Sequence, residues 1–175
     1  MVKFVESELV QLRNEVYEMW TLVYKQMEQV KQAVLDMDAD MAKQVLMRER
    51  RVDAMELRID SKVEDIIALY TPVAIDLRFV LAMFKINNDL ERIGDYADGM
   101  ARFVKDAAGT VLDAELVGRL RLEEMFSTVL VMMDSLKQAL MDEDPAKAAS
   151  VLETDDILDE IKNSAAQTDE MFEKI

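Results

Sequence analysis

The sequence predicts an all-α fold of about five long helices, arranged as tandem three-helix bundles with the first complete and the second partial. Of the 175 residues only 4 are Gly and 2 are Pro, while Leu, Met, Ala, Glu, Asp and Lys are abundant. Most of these abundant residues lose little freedom in a helix. Apolar residues also recur at steps of three and four, and part of the chain is repeated further on.

The first helix is predicted by a nearly continuous apolar stripe. The stripe consists of Val5, Leu9, Leu12, Val16, Met19, Val23, Met27, Val30 and Val34. This spacing places apolar side chains along one face of a long helix that packs along one seam. Asp36, Asp38 and Asp40 then interrupt the stripe with residues that favour caps and turns, so the helix should end there.

Two further helices should complete the first bundle. The second should run from about Asp40 to Tyr70, and Thr71 followed by Pro72 predicts a restart. Thr is a good cap residue, and Pro is favoured at the first helical position. The third helix should end at the segment Ala107 to Thr110. Three long helices joined by tight connections fold most simply as an up-down-up bundle.

The remaining sequence predicts two more helices. A fourth should span about Ala114 to Met141 and a turn should follow at Asp142 to Pro145, with a fifth helix from there to residue 175. These elements look like a second copy of the first two helices and the turn between them.

An internal repeat supports that likeness. Shifting the chain by 106 residues aligns 31–53 with 137–159, with nine identities and no gap. The repeat predicts a first unit at residues 1–108 and a second at 109–175. A copy of the third helix would begin only after residue 175. We therefore expect either a shortened form or a second core that a symmetry-related copy completes, since an uncovered apolar face usually signals association.

The composition restricts the possible functions. The formal net charge is −15, which argues against binding to nucleic acid and against a basic patch on anionic lipid. Without Cys or His, thiolate sites and imidazole catalysis are excluded, so any metal must be held by oxygen, as Mg, Mn, Ca or iron can be. The N-terminus lacks the apolar core of a signal peptide, and no run approaches the roughly 18 apolar residues that span a bilayer. We expect a cytoplasmic protein.

Three pairs of carboxylates could carry chemistry. Each pair has a spacing of four residues: Glu49 and Asp53, Glu91 and Asp95, Asp155 and Asp159. Such neighbours share one helix face, and their repulsion costs a few tenths of a kcal/mol unless a metal ion, a basic side chain or solvent compensates. Surface ion pairs with neighbouring Arg residues are therefore the alternative to a metal site.

The first two pairs are placed symmetrically about Pro72. Residue 51 lies midway between Glu49 and Asp53, residue 93 lies midway between Glu91 and Asp95, and the mean of 51 and 93 is 72. In an antiparallel helix pair, the four carboxylates should therefore lie at the same height. Gly94 interrupts the helix between the second pair, which indicates close packing or a crowded site there.

Two segments carry a specific resemblance. Residues 71–102 read TPVAIDLRFVLAMFKINNDLERIGDYADGMAR, with the core motif D-L-E-R-I-G-D-x-A at 89–97, and residues 48–59 read RERRVDAMELRI. The chain resembles the PhoU family in these segments and over most of its length. The second D-L-E-R-I-G-D motif that the family would lead one to expect is absent.

The resemblance implies two similar three-helix bundles that bind metal through carboxylates alone. The implied ligands are Glu49, Asp53, Glu91 and Asp95 in the first unit, Asp155 and Asp159 in the second, and Asp89 and Asp98 as additional ligands. Glu56 is a weaker candidate. The metal would be divalent or trivalent, with iron, Mn, Mg and Zn as candidates.

The resemblance also implies a function without catalysis. The family regulates phosphate uptake and phosphate-starvation signalling negatively, through contact with a sensor histidine kinase and a phosphate ABC transporter. From the uncovered apolar face of the second unit we expect a homo-oligomer, which is cytoplasmic or peripheral at the inner membrane through its partners. A carboxylate-bridged metalloenzyme and a purely structural helical adaptor are the alternatives.

Overall fold

The computed structural model describes the backbone of residues 2–172 and the side chains of residues 5–165. Within these residues it contains six helices and no strand. They are α1 Val2–Asp36, α2 Ala39–Tyr70, α3 Ala74–Asp106, α4 Ala114–Arg119, α5 Leu122–Asp142 and α6 Pro145–Phe172. The predicted all-α fold with five long helices is confirmed, and α4 is a short addition. No helix in the described part is long and apolar enough to cross a membrane.

The first three helices share a continuous apolar core. Fully buried side chains come from all three: Leu12, Val16, Met19, Val23 and Val30 from α1, Val45, Val52, Ile59 and Ile66 from α2, and Val80, Ala97, Ala101 and Val104 from α3. Removing one such Val, Leu or Ile side chain from water contributes about 1.5–3 kcal/mol. The apolar stripe of the first helix therefore forms one wall of this bundle.

The turn between α2 and α3 differs from the prediction. Thr71 does not cap α3. It ends α2 in a left-handed conformation, with φ 45°, and its N–H donates to the Ile67 carbonyl at 3.3 Å. The N-cap of α3 is Val73, whose side chain makes no capping hydrogen bond. Pro72 therefore follows the C-cap of α2, a position where Pro is common because it cannot continue a helix.

The predicted fourth helix is broken near its start. Arg121 adopts a left-handed conformation with φ 50° between α4 and α5. Its guanidinium donates to Glu124 on α5 at 2.7 Å and to Glu160 on α6 at 3.0 Å. Gly118 also weakens the last turn of α4, because Gly is a poor helix former. The bend at Arg121 is thus held by a contact with α6. Helix propensity alone does not predict such a contact.

The two helix–helix turns repeat each other at the 106-residue offset. Asp38 caps α2 and Asp144 caps α6, and each accepts hydrogen bonds from the N–H groups two and three residues further on. The residues before these caps, Met37 and Glu143, are both left-handed, with φ 50° and 53°. The sequence repeat is therefore also a repeat of backbone conformation. The boundary between residues 108 and 109 stays a prediction.

Helices α1 and α5 meet through a reciprocal pair of hydrogen bonds. Lys31 on α1 donates to Ser127 on α5 at 2.8 Å, and Lys137 on α5 donates to Thr21 on α1 at 2.5 Å. The two lysines are equivalent at the 106-residue offset, as are the two hydroxyl residues. The same hydrogen bond from a lysine to a hydroxyl group thus forms twice between α1 and α5, as a local two-fold axis between these helices would require.

Candidate functional site

The site is organised around Glu49, an acidic residue in the core of the first bundle. Its side chain lies on α2 and the residue is only 8% exposed. The amide of Gln26, on α1 and fully buried, donates to Oε2 of Glu49. Oε1 of Glu49 is buried and accepts no hydrogen bond from the side chains and backbone that the structure describes. A buried carboxylate oxygen without a donor is costly unless something else compensates it.

Gly94 on α3 lies against both Val52 and the Glu49 carboxylate of α2. A Cβ at this position would lie 3.1 Å from Cγ1 of Val52 and 3.5 Å from Oε1 of Glu49. The helix contains Gly here, despite its cost of about 1 kcal/mol relative to Ala, because α2 and α3 approach closely at the site. The prediction that Gly94 marks close packing is confirmed.

The two predicted carboxylate pairs come together across α2 and α3. Burial raises the pKa of Glu49, and the negative charges of Asp53, Asp98 and Asp95 add to that increase, while the Gln26 hydrogen bond opposes it. Burial also raises the pKa of Glu91, and Asp95 and Asp53 add to it. Carboxylates influence each other in this way only at short range. Acidic groups of both helices therefore act on Glu49, whose Oε1 would lie 3.5 Å from a Cβ at Gly94, the residue before Asp95.

Asp98 closes one end of this group. It is 9% exposed and lies one turn beyond Asp95 on α3. Arg102 donates to both of its oxygens, at 2.5 Å and 3.3 Å, in a charge-assisted pair. Asp98 thus brings a negative charge close to Glu49 while its own charge is balanced from the solvent side.

The other end of the group contains polar residues outside the main set of predicted ligands. Glu56 has a raised pKa, caused first by burial and then by Asp60 and Glu91. The fully buried Asn87 donates to the Glu56 carbonyl at 3.1 Å and to Asp60 at 2.9 Å. The available signal was that Asn87, like Gln26, is a polar residue on an otherwise apolar helix stripe.

Three of the predicted ligands, Asp89, Asp155 and Asp159, lie outside the group of carboxylates between α2 and α3. Asp89 lines an apolar cleft between α1, α3 and α5. It precedes Glu91 by two residues, and a rotation of about 200° places its side chain on the far side of α3. Asp155 and Asp159 are exposed on α6, whereas Glu49, the counterpart of Asp155 at the 106-residue offset, is buried under α3. The structure therefore groups Glu49, Asp53, Glu91, Asp95 and Asp98 without these three.

The donor chemistry of this group suits a cation that prefers oxygen. All the groups are carboxylates, and the unpartnered Oε1 of Glu49 could accept one. Among residues 5–165, however, no three acidic side chains stand close enough together to hold a metal ion as they are placed. The site thus has suitable chemistry and a local excess of negative charge, but no preformed set of three ligands.

Comparison with known proteins identifies the family. The profile of the PhoU domain matches residues 16–104, a segment that contains all the grouped carboxylates. The chain belongs to the PhoU family. It is 31% identical over 161 residues to the phosphate-specific transport system accessory protein PhoU homolog of Deinococcus radiodurans, covering 92% of this chain and 74% of that protein.

Further similarities extend over most of the chain. The PhoU homolog 1 of Thermotoga maritima, also named a phosphate-specific transport system accessory protein, is 29% identical over 157 residues, 90% of this chain and 67% of its own length. The crystal structure of PhoU from Pseudomonas aeruginosa superposes with a TM-score of 0.85 at 30% identity, covering 93% of this chain and 77% of that one. The first and second helical units are thus both part of the PhoU fold.

Proposed function

We propose that this PhoU protein represses phosphate uptake and phosphate-starvation signalling by contact with other proteins, without catalysing a reaction. The observation that supports regulation is membership of a family whose members are named accessory proteins of phosphate-specific transport systems. The proposed partners are a sensor histidine kinase and a phosphate ABC transporter. They would hold a cytoplasmic, oligomeric protein at the inner membrane.

We further propose that the carboxylates between α2 and α3 bind a metal ion. Glu49, Asp53, Glu91 and Asp95 would hold it, with Asp98 at the edge. The observation that supports this site is the buried, unpartnered Oε1 of Glu49 beside other acidic groups. A cation would offset both the repulsion between the carboxylates and the missing hydrogen bond.

The bound metal would act as a structural or regulatory charge. Iron, Mn, Mg and Zn can all bind carboxylate oxygens. Binding would link α2 to α3 and would compete with protons for Glu49 and Glu91, whose pKa values are raised. These two residues would therefore set the pH dependence of metal affinity.

Metal analysis of matched variants tests the site. The double variant Glu91→Gln/Asp95→Asn should contain much less metal than the unchanged protein when both are purified in parallel. The control is Asp155→Asn/Asp159→Asn, which removes the same charge from two exposed residues at the same spacing on α6. Equal metal content in all three proteins would contradict a site between α2 and α3.

A regulation assay separates the two parts of the proposal. In cells that carry a phosphate-responsive reporter, loss of this protein should raise reporter expression in high phosphate, and the unchanged gene should restore repression. If the α2/α3 variant lost metal but still repressed, the metal site would not be needed for regulation. If the unchanged gene failed to restore repression, the regulatory function would be contradicted whatever the metal content.

A further inference from the structure

An apolar cleft lies between the first bundle and the second unit, away from the carboxylate site. It encloses about 770 Å³ and is lined by α1, α3, α5 and the start of α6. Its apolar wall includes Trp20 from α1, Phe79 and Leu90 from α3, and Met133 and Leu136 from α5. A cleft of this size and composition is typical of a binding site rather than a packing defect.

The dimensions of the cleft suit a helix. Its wall extends from Leu9 to Trp20 along α1 and from Ile75 to Ile93 along α3. At 1.5 Å per residue, these stretches are roughly 16 Å and 27 Å long, the length of a helix of about 11–18 residues. Walls made of helices on both sides form the kind of groove into which an amphipathic helix places its apolar face.

The mouth of the cleft is both apolar and acidic. Val10 and Ile75, which both line the cleft, are 57% and 80% exposed, so its lining includes aliphatic side chains that are open to solvent. The acidic lining residues are Asp76, Asp89, Glu143 and Asp144.

Only one of the residues that line the cleft is basic. This residue is Arg13, which pairs with Glu143 at 3.1 Å and lies 5.1 Å from the centre of the Phe79 ring. Its charge is therefore already balanced. The remaining acidic groups, on a chain of net charge −15, favour a basic occupant.

We propose that this cleft binds an amphipathic helix of a partner protein, with an apolar face flanked by Lys and Arg. The apolar face would fill the space between Trp20 and Leu136, and the basic flanks would lie against Asp76 and Asp89. Burial of apolar area would supply most of the affinity, and the acidic rim would supply the selectivity. The proposal rests on the proposed action by protein contact, and it does not depend on the metal site.

Trp20 offers a direct probe of the cleft. It is the only Trp in the sequence, it lines the cleft, and its indole N–H donates to the Met133 carbonyl at 3.1 Å. The ligand for the test is a synthetic 16-residue amphipathic helix with Leu at helical spacing and Lys on both flanks. The control peptide has Glu in place of every Lys and the same apolar face.

The basic peptide should change Trp20 fluorescence saturably and should bind about tenfold or more tightly than the acidic one, with the difference reduced at high salt. The charge reversal D76K/D89K should remove most of this preference. Equal affinity of the two peptides would overturn the proposal, since it would indicate unspecific apolar adsorption.

A second pair of variants tests the location. Ile75→Arg places a long basic side chain at the mouth of the cleft, and because Ile75 is exposed, folding should be retained and can be checked by circular dichroism. The matched control is Leu57→Arg, on α2 and 66% exposed, outside the cleft lining. Ile75→Arg should weaken basic-peptide binding about tenfold or more, and Leu57→Arg should leave it unchanged.

Two outcomes would overturn the location or the occupant. Equal binding by Ile75→Arg and Leu57→Arg would place the peptide elsewhere. If the unchanged protein were a dimer that only Ile75→Arg dissociates, the occupant would be a second copy of this chain. The metal content of Ile75→Arg and Leu57→Arg should stay unchanged. Failure of the cleft proposal can therefore be distinguished from failure of the metal-site proposal.

Discussion

The Glu49 carboxylate on α2 lies in van der Waals contact with the position that a Cβ at Gly94 on α3 would take. A Cβ on Gly94 would lie 3.5 Å from Oε1 and 3.6 Å from Oε2 of Glu49. The close approach of the two helices and the burial of the carboxylate therefore depend on the same residue pair. Any change at Gly94 should affect helix packing and the carboxylate site together.

Substitution of Gly94 by Leu should destabilise the protein. The new side chain would meet Val52 and Glu49, and overpacking of this kind costs roughly 1–3 kcal/mol. The matched control is Gly99→Leu on the same helix, where a Cβ would meet nothing within 4 Å and the better helix former should stabilise by about 0.5–1 kcal/mol. Urea unfolding of the two variants checks this, and equal free energies of unfolding would contradict the close approach at Gly94.

In the metal-free protein, Glu49 should contribute stability that grows as the pH falls from neutral towards 4.5. Burial raises the pKa of Glu49 above its ordinary 4.5, so the folded state binds this proton more tightly than the unfolded chain does. The resulting stability is fully present below pH 4.5 and is lost as the pH rises through the raised pKa. Thermal unfolding of metal-free protein across this range checks the sign. The change should be smaller in Glu49→Gln and should persist in Asp155→Asn, which removes an exposed acid on α6.

The reciprocal lysines should hold the second unit against the first. Lys31→Met and Lys137→Met should each cost about 1 kcal/mol, because each removes one hydrogen bond between α1 and α5. The two effects should add, since Thr21 and Lys31 are separated by roughly 15 Å along α1. Hydrogen exchange of α5 amides is the measurement. Unchanged protection of α5 in the double variant would show that the lysines are dispensable for this contact.

Much of the fold could be predicted because its determinants are local. The apolar stripe from Leu12 to Val30 fixes the buried face of α1, and Asp38 and Asp144 mark the helix starts that they cap. The sequence predicts Thr71 as the cap of α3, but Thr71 ends α2, because a Thr-Pro pair can follow one helix as well as start the next. The bend at Arg121 depends on Glu160 of another helix, which no local pattern reveals.

The carboxylate site between α2 and α3 could be predicted only in part, because it too depends on how neighbouring helices pack. Spacing placed the Glu49 and Glu91 pairs at the same height, but whether they face each other depends on helix rotation. In the structure, the close approach at Gly94 shows that this part of α3 is turned towards Glu49. Asp89 was included by the resemblance, although its two-residue separation from Glu91 already places it on another helix face. Gln26, the donor to Glu49, lies within an apolar stripe, where a polar residue is the signal to look for.

The central claim, a cation site between α2 and α3, is tested most directly by calorimetric titration of the metal-free protein with Mn²⁺. We predict saturable binding to the unchanged protein, with an affinity that falls as the pH is lowered because protons compete for Glu49 and Glu91, whose pKa values are raised. Binding should be lost in Glu49→Gln and retained in Asp155→Asn. Equal binding by the unchanged protein and Glu49→Gln, or no binding to either, would contradict the claim.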